Sequence, residues 1–239
     1  MKKQWKNWLA VLMLALPLSA NASGGGHYEH VDIDLGDQVS LQRGAQIFAN
    51  YCLSCHSASG MRYNRLQDLG LSEDEIRKNL MFTTDKTGDV MQSAMNPEDA
   101  KRWFGAEPPD LTLIARSRGA DYLYTYLRGF YKDPTRPNGW NNVVFDKVGM
   151  PHPLWEQQGI RAVELDSKGQ PVMVKDEHGN LVPKLYWEST GLHSRRLPNG
   201  EVSAKEFDRY AKDLVAYLVY MGEPAQLQRK QIGYGVLLF

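Results

Sequence analysis

The composition of this 239-residue chain excludes several broad classes of protein. Apolar residues make up 42% of it, enough to bury the core of one large domain or two small ones, which argues against disorder throughout. Basic and acidic residues balance at 28 each, and setting aside three N-terminal lysines leaves 28 − 25 = 3 excess acids. This charge is not that of a nucleic-acid-binding protein.

The first 22 residues have the three parts of a secretory signal. Three lysines come first, an apolar stretch from Trp8 to Leu18 follows, and Ala20-Asn21-Ala22 supplies the small residues of a cleavage site. An uncleaved anchor helix is the alternative, but the apolar stretch is shorter than the roughly 20 residues that span a bilayer. We therefore expect residues 1–22 to be a signal peptide and the mature chain to be exported.

Periodicity and capping residues predict several helices along the chain. The clearest is the last, where a capping box of Ser203 and Glu206 precedes apolar residues at helical spacing up to Met221. The other predicted helices run from an N-cap at Ser40 toward Tyr51, from Ser72 with Glu75 completing a capping box, from Asn96, and from Ala120 to Phe130.

Two later segments are not helical in pattern. Residues 133–155 are rich in Pro, Gly and Asn without a sustained period, which predicts a long irregular loop of the kind that is usually functional. Residues 160–186 alternate short apolar runs with turn residues, as in Asp166-Ser167-Lys168-Gly169 and His178-Gly179-Asn180. This pattern predicts a small β-meander inserted into a helical domain.

The strongest chemical signal is Cys52-Leu53-Ser54-Cys55-His56, the C-x-x-C-H signature of covalent haem attachment. Two intervening residues place both sulfurs along one edge of the macrocycle, and the adjacent histidine ligates the iron. A redox-active dithiol is the alternative, but it would leave His56 without a role. The motif predicts one haem c, bound by Cys52 and Cys55, with His56 as an iron ligand.

The second axial ligand must come from elsewhere, and the residues alone do not settle it. Met61, Met173 and Met221 are demoted by their positions, next to the attachment site, in the meander and in the last helix. Met150 is favoured, because Gly149-Met150-Pro151 lies in the irregular loop and its glycine permits close approach to a ring. Met81, Met91 and His152, which we expect to be exposed, stay open as alternatives.

Several motifs, taken in their order along the chain, resemble those of the cytochrome c1 family, and they cover nearly the whole mature chain. They are Cys52–His56, Pro108-Pro109-Asp110-Leu111, Arg116-Ser117-Arg118, Asp121-Tyr122, Gly149-Met150-Pro151, Gly222-Glu223-Pro224 and the basic pair Arg229-Lys230.

This resemblance implies roles for four further residues. Met150 would be the axial ligand opposite His56, and Arg118 would pair with a haem propionate, a role suited to the bidentate guanidinium. Tyr122 and Pro109 would line the haem pocket. The resemblance also implies a mainly α, class I cytochrome c-like haem domain with long loops, in which Gly44 and Phe48 meet Tyr217 or Leu218.

The domain expected on this basis spans residues 23–230, with the 160–186 segment inserted in it. Family members end in a single membrane anchor with a short basic tail, whereas this sequence stops after a few apolar residues. We therefore expect residues 231–239 to be the start of an anchor that the given sequence truncates. The haem domain would lie on the periplasmic side of the inner membrane.

Ligation of the iron by both His56 and Met150 would fill both axial positions and favour electron transfer over catalysis. The resemblance implies a subunit that is no enzyme on its own and works beside a cytochrome b. It would accept electrons from a Rieske iron–sulfur protein and pass them to a soluble cytochrome c. The alternatives are a haem enzyme in which His152 acts as acid–base catalyst, and a haem-free dithiol oxidoreductase.

Overall fold

The computed structural model of the chain describes residues 28–239, so the predicted signal peptide lies outside the described residues. Within this range, helices account for 41% and strands for 17% of the residues. The domain is therefore a mixture of helix and strand, and the prediction of a mainly α domain is not confirmed. The extra strands come from the second half of the chain, where β-rich segments extend beyond the predicted insertion.

Eight α-helices are described. They are α1 (Gln38–Ile47), α2 (Glu73–Asn79), α3 (Pro97–Phe104), α4 (Ile114–Arg118), α5 (Ala120–Arg128), α6 (Trp155–Gln158), α7 (Lys205–Gly222) and α8 (Gln226–Leu238). A π-helical turn at Phe48–Cys52 continues α1, and a 3₁₀-helix spans Tyr63–Leu69.

The strands form one four-stranded sheet and three short pairs. They are β1 (Ala58–Arg62), β2 (Val90–Met91), β3 (Phe130–Lys132), β4 (Trp140–Asn142), β5 (Gly159–Val163), β6 (Met173–Lys175), β7 (Leu181–Pro183), β8 (Leu185–Thr190), β9 (Arg195–Arg196) and β10 (Val202–Ser203). The main sheet has the order β4-β3-β5-β8, with β3 and β5 parallel and the other neighbours antiparallel. Strands β6 and β7 form a separate hairpin, so strands occupy the 160–186 segment as predicted.

Helices α1 and α7 pack closely, as the resemblance implied. A Cβ added to Gly44 would lie 2.1 Å from the carbonyl oxygen of Asp213 and 2.7 Å from the Cβ of Tyr217, so only glycine permits this approach. The rings of Phe48 and Tyr217 are 5.6 Å apart. This crossing holds α1, and therefore the Cys52 segment that follows it, against the core.

A polar cluster spans the same helix pair. The carboxylate of Asp213 accepts hydrogen bonds from Ser40 Oγ at 2.5 Å and from Arg43 Nε at 2.6 Å and Nη2 at 3.0 Å. Because Ser40 is engaged in this way, it is not the N-cap of α1. Asp37 takes that position and accepts a hydrogen bond from the amide of Ser40, which corrects the predicted start of the helix.

The other predicted caps differ in outcome. Ser72 and Glu75 form the reciprocal capping box at the start of α2, and Asn96 caps α3. The capping box predicted at Ser203 and Glu206 is wrong, because α7 begins after Ala204 with no side-chain cap. Ser203 belongs instead to β10, where it pairs with Arg195.

At the C-terminus, α8 covers residues that we expected to begin a membrane anchor, and none of its residues is buried. Across residues 28–239, no helix is both long enough and apolar enough to cross a membrane.

Candidate cofactor site

A helical turn presents the C-x-x-C-H motif. The π-helical turn ends at Cys52, and the amides of Cys55 and His56 then donate to the carbonyl oxygen of Cys52 at 3.0 Å and 2.8 Å. Such π-turns are frequent at functional sites. The turn brings Cys52, Cys55 and His56 together at the end of α1, with Cys52 buried and Cys55 partly exposed.

Cys52 and Cys55 are not joined by a disulfide. Burial, with a smaller effect of the neighbouring Cys55, raises the pKa of the Cys52 thiol to about 12. A redox-active dithiol needs a cysteine whose pKa is depressed, since the thiolate is the nucleophile. The surroundings of Cys52 have the opposite effect and are suited to a buried sulfur.

A single hydrogen bond fixes the imidazole of His56. Its Nδ1 lies 2.7 Å from the carbonyl oxygen of Pro109. A carbonyl only accepts, so Nδ1 carries the proton and Nε2 is left with a free lone pair. Burial lowers the pKa of His56, although the Pro109 hydrogen bond and the charge of Asp110 oppose the shift, and the neutral ring is the form that binds a metal.

The Pro108-Pro109 segment is tied to the chain that follows His56. The amide of Leu111 donates to the carbonyl of Ser57 at 2.8 Å, and the carboxylate of Asp110 accepts from the amide of Ser59 at 2.7 Å. Pro109 itself is exposed, and its carbonyl oxygen faces the Nδ1 of His56.

Met150 lies half-buried in a loop that is fixed from several sides. Asn138 Nδ2 donates to the carbonyl oxygens of Val148 and Gly149, at 3.3 Å and 3.0 Å. A Cβ added to Gly149 would lie 2.5 Å from the carbonyl oxygen of Phe104, so a glycine is needed there. These contacts hold the backbone just before Met150 in one place.

The sulfur of Met150 has a partner that sequence reasoning missed. The hydroxyl of Tyr126 donates to Met150 Sδ at 3.5 Å. Burial, with a contribution from Tyr122, raises the pKa of the Tyr126 phenol far above its ordinary value, so the hydroxyl keeps its proton. The only sequence signal was the spacing of Tyr122 and Tyr126, four residues apart on one helix face.

Two of the alternatives to Met150 are buried among other side chains. Met91, expected to be exposed, has 0% exposure and accepts a hydrogen bond from Tyr217 within the core. Met81 stays half-buried. His152 was also expected to be exposed, but only 3% of it is accessible.

Both ring nitrogens of His152 are engaged. Nε2 pairs with Gln158 Oε1 at 2.7 Å, and Nδ1 accepts from the amide of Leu154 at 3.4 Å. The ring stacks on Phe130 with centroids 4.8 Å apart, and Trp140 packs edge-on at 5.3 Å. Burial lowers the pKa of His152 to about 3, so it is a neutral packing residue at ordinary pH.

Arg118 and Tyr122 extend the cluster around Met150. Tyr122 stacks on Tyr126 with centroids 5.9 Å apart, and the guanidinium of exposed Arg118 lies 5.5 Å from the Tyr122 ring centroid. Among residues 28–239, no carboxylate forms an ion pair with Arg118. The predicted site residues thus fall into two groups, one around His56 and one around Met150, and α4 joins the Pro109 segment to Arg118.

The chain is similar in sequence to a known family and to several known proteins. Residues 33–200 match the model of the "Cytochrome C1 family". The chain is 46% identical to cytochrome c1 of Allochromatium vinosum over 97% of its length and 90% of that protein. It is 45% identical to a protein of Nitrosomonas europaea named ammonia monooxygenase gamma subunit, over 97% and 89% of the two chains.

A more distant relative is cytochrome c1 of Rhodospirillum rubrum, 29% identical over 96% of this chain and 88% of that one. Members of the family are haem-carrying electron-transfer subunits of the bc1 complex, with a covalently bound c-type haem. The chain belongs to the cytochrome c1 family.

Proposed function

We propose that this chain accepts electrons from a Rieske iron–sulfur protein and passes them to a soluble cytochrome c. Cys52 and Cys55 would attach the haem, and His56 and Met150 would ligate its iron. Arg118 would pair with a propionate, and Tyr122 and Pro109 would form part of the pocket. The observation that carries the proposal is the hydrogen bond of His56 to Pro109, because it leaves Nε2 free to bind a metal.

The residues fit a haem c. Two cysteines separated by two residues, a neutral imidazole and a half-buried thioether are the groups that hold a haem c. A haem bound by them supplies a one-electron couple whose potential is raised by the thioether. The protein's own part is to hold Met150 in its fixed loop and to keep His56 in one tautomer.

The two alternative functions have less support. An acid–base role for His152 is disfavoured, because Gln158 and Leu154 engage both of its nitrogens and burial lowers its pKa, which makes it a weak base. A dithiol oxidoreductase is disfavoured because it would leave His56, whose Nε2 is free to bind a metal, without a role.

The family and the sequence support the proposed partners. We place the chain beside a cytochrome b in a quinol-oxidising complex, with the haem domain on the periplasmic side of the inner membrane. The signal-like residues 1–22 support export. The excess of three acids, with the propionates added, suits a basic soluble acceptor.

The Nitrosomonas relative supports a second candidate, membership of an assembly with an ammonia monooxygenase. Deleting the gene and measuring quinol-dependent reduction of cytochrome c in membranes separates the two. Loss of that activity, restored by the full chain, supports the bc1 assignment. Unchanged activity contradicts it and favours the second candidate.

Replacing Met150 by Lys tests the site. An amine donates more strongly to ferric iron than a thioether, so the midpoint potential should fall by several multiples of the ~59 mV that changes a one-electron equilibrium tenfold. The haem should stay attached, and the weak near-infrared band of sulfur–iron ligation should disappear. Met81→Leu and Met173→Leu are controls and should change neither. A shift in a control, or none in Met150→Lys, would place the ligand elsewhere.

A further inference from the structure

The hydroxyl of Tyr126 is directed at the sulfur of Met150, with an oxygen–sulfur distance of 3.5 Å. Its ring is held on two sides, by stacking on Tyr122 at 5.9 Å and by an edge contact with Phe130 at 5.2 Å. Phe130 is buried and is itself stacked on His152. The direction of the hydroxyl is therefore set by packing rather than by a mobile side chain.

A thioether sulfur has two lone pairs. When Tyr126 donates to one of them, the other is the pair available to a metal, so the hydrogen bond determines which side of the sulfur can ligate. The hydrogen bond also draws electron density from the sulfur and makes it a weaker donor. Ferric iron needs a strong donor more than ferrous iron does, so weakening the donor raises the reduction potential.

We propose that Tyr126 is a positioning residue for Met150, selecting the sulfur lone pair that ligates and raising the midpoint potential of the haem. This inference rests on the proposed function, in which Met150 is the axial ligand. Tyr126 acts through Met150 and would not itself ligate the iron.

The chain contains a matched pair for comparison. Tyr217 donates to Met91 Sδ at the same distance, 3.5 Å, but in the core, where Met91 has no ligand role in our assignment. Tyr217→Phe and Tyr126→Phe each remove one hydroxyl and one hydrogen bond to a methionine sulfur. If the two variants differ in midpoint potential, the cause is therefore the place of the methionine in the structure and not the loss of a hydrogen bond to sulfur as such.

The experiment is a redox titration of the full-length, haem-loaded chain and of both variants, with the near-infrared sulfur–iron band recorded for each. Tyr126→Phe should make reduction roughly threefold less favourable, about 28 mV at ~59 mV per tenfold change, and should shift the band without abolishing it. Tyr217→Phe should change neither. An unchanged or raised potential in Tyr126→Phe, or equal changes in both variants, overturns the inference.

Two further measurements separate the possible failures. If Met150→Lys leaves the potential and the band unchanged, the ligand assignment fails and with it the proposed site. If Met150→Lys behaves as expected but Tyr126→Phe does not, only the present inference fails. If Tyr126→Phe does not fold, the inference is tested on the unaltered protein in its ferrous form. A nuclear Overhauser contact between the Tyr126 hydroxyl proton and the Met150 methyl group is expected, and its absence overturns the inference.

Discussion

The Nδ1 of His56 and the carbonyl oxygen of Pro109 lie 2.7 Å apart, although 53 residues separate them in the chain. The acceptor belongs to the backbone, so no side-chain deletion removes it. Its position depends on the stiffness of the Pro108-Pro109 segment, because proline fixes φ. The two prolines therefore contribute to the orientation of an imidazole that neither ring needs to touch.

We predict that Pro109→Gly raises the midpoint potential. Donation from Nδ1 makes the imidazole a stronger ligand and favours ferric iron, so loosening the acceptor weakens that effect. The free energy of unfolding should also fall by about 1 kcal/mol, because glycine has more freedom in the unfolded chain. Redox titration and urea denaturation measure the two effects. Pro108→Gly is the control: a similar loss of stability with a smaller change of potential is expected, and equal changes of potential would contradict the role of the Pro109 carbonyl.

The cysteines give a prediction about covalent attachment. Each thioether needs its own thiol, so Cys52→Ala and Cys55→Ala should each leave one link, and the double variant none. Haem staining on denaturing gels and the mass of the intact chain measure this. Ser54→Ala, which removes a hydroxyl 3.7 Å from the sulfur of Cys55, should retain full staining. Undiminished staining in the double variant would reject the attachment site.

The close approach of α1 and α7 gives a prediction about stability. In Gly44→Ala the new methyl group would lie 2.1 Å from the backbone oxygen of Asp213, so the helices must separate. Overpacking of this kind costs about 3 kcal/mol. Gly88→Ala is the control, because nothing lies within 4 Å of its added Cβ, and a change within about 0.5 kcal/mol is expected. Similar unfolding free energies for both variants would contradict the packing described here.

Helix caps that depend only on residues close together in the sequence could be predicted from local patterns. The capping box of Ser72 and Glu75 is made within four residues, and it is present in the structure. Ser40 and Ser203 also had local patterns of an N-cap, but distant partners changed their roles. Ser40 donates a hydrogen bond to Asp213, 173 positions away, and Ser203 lies in a strand, paired with Arg195.

The same distinction applies to the site. The attachment motif spans five consecutive residues, so roles for Cys52 and His56 could be predicted without knowledge of the fold. The burial of Met91 and His152 could not, because it depends on Tyr217, Phe130 and other residues far along the chain. The hydrogen bond of Tyr126 to Met150 was missed for that reason too, since it joins a helix to a loop 24 residues later.

The C-terminal helix gives the last prediction, that a chain ending at Ala225 folds and keeps its haem. No residue of α8 is buried, and its ion pair with the rest of the chain, Arg229 to Glu223, lies at the surface, where such pairs add little stability. The free energy of unfolding should therefore change by no more than about 1 kcal/mol, and the midpoint potential should stay the same. Removing exposed Ile232, Leu237 and Phe239 should also reduce self-association. Denaturation, redox titration and gel filtration of the shortened and full-length chains test this.

A chain ending at Tyr217 is the control: it loses Leu218, Tyr220 and Met221 from the core and should not fold. If ending at Ala225 abolishes folding or haem retention as well, α8 contributes to the stability of the domain in a way that its exposure does not reveal.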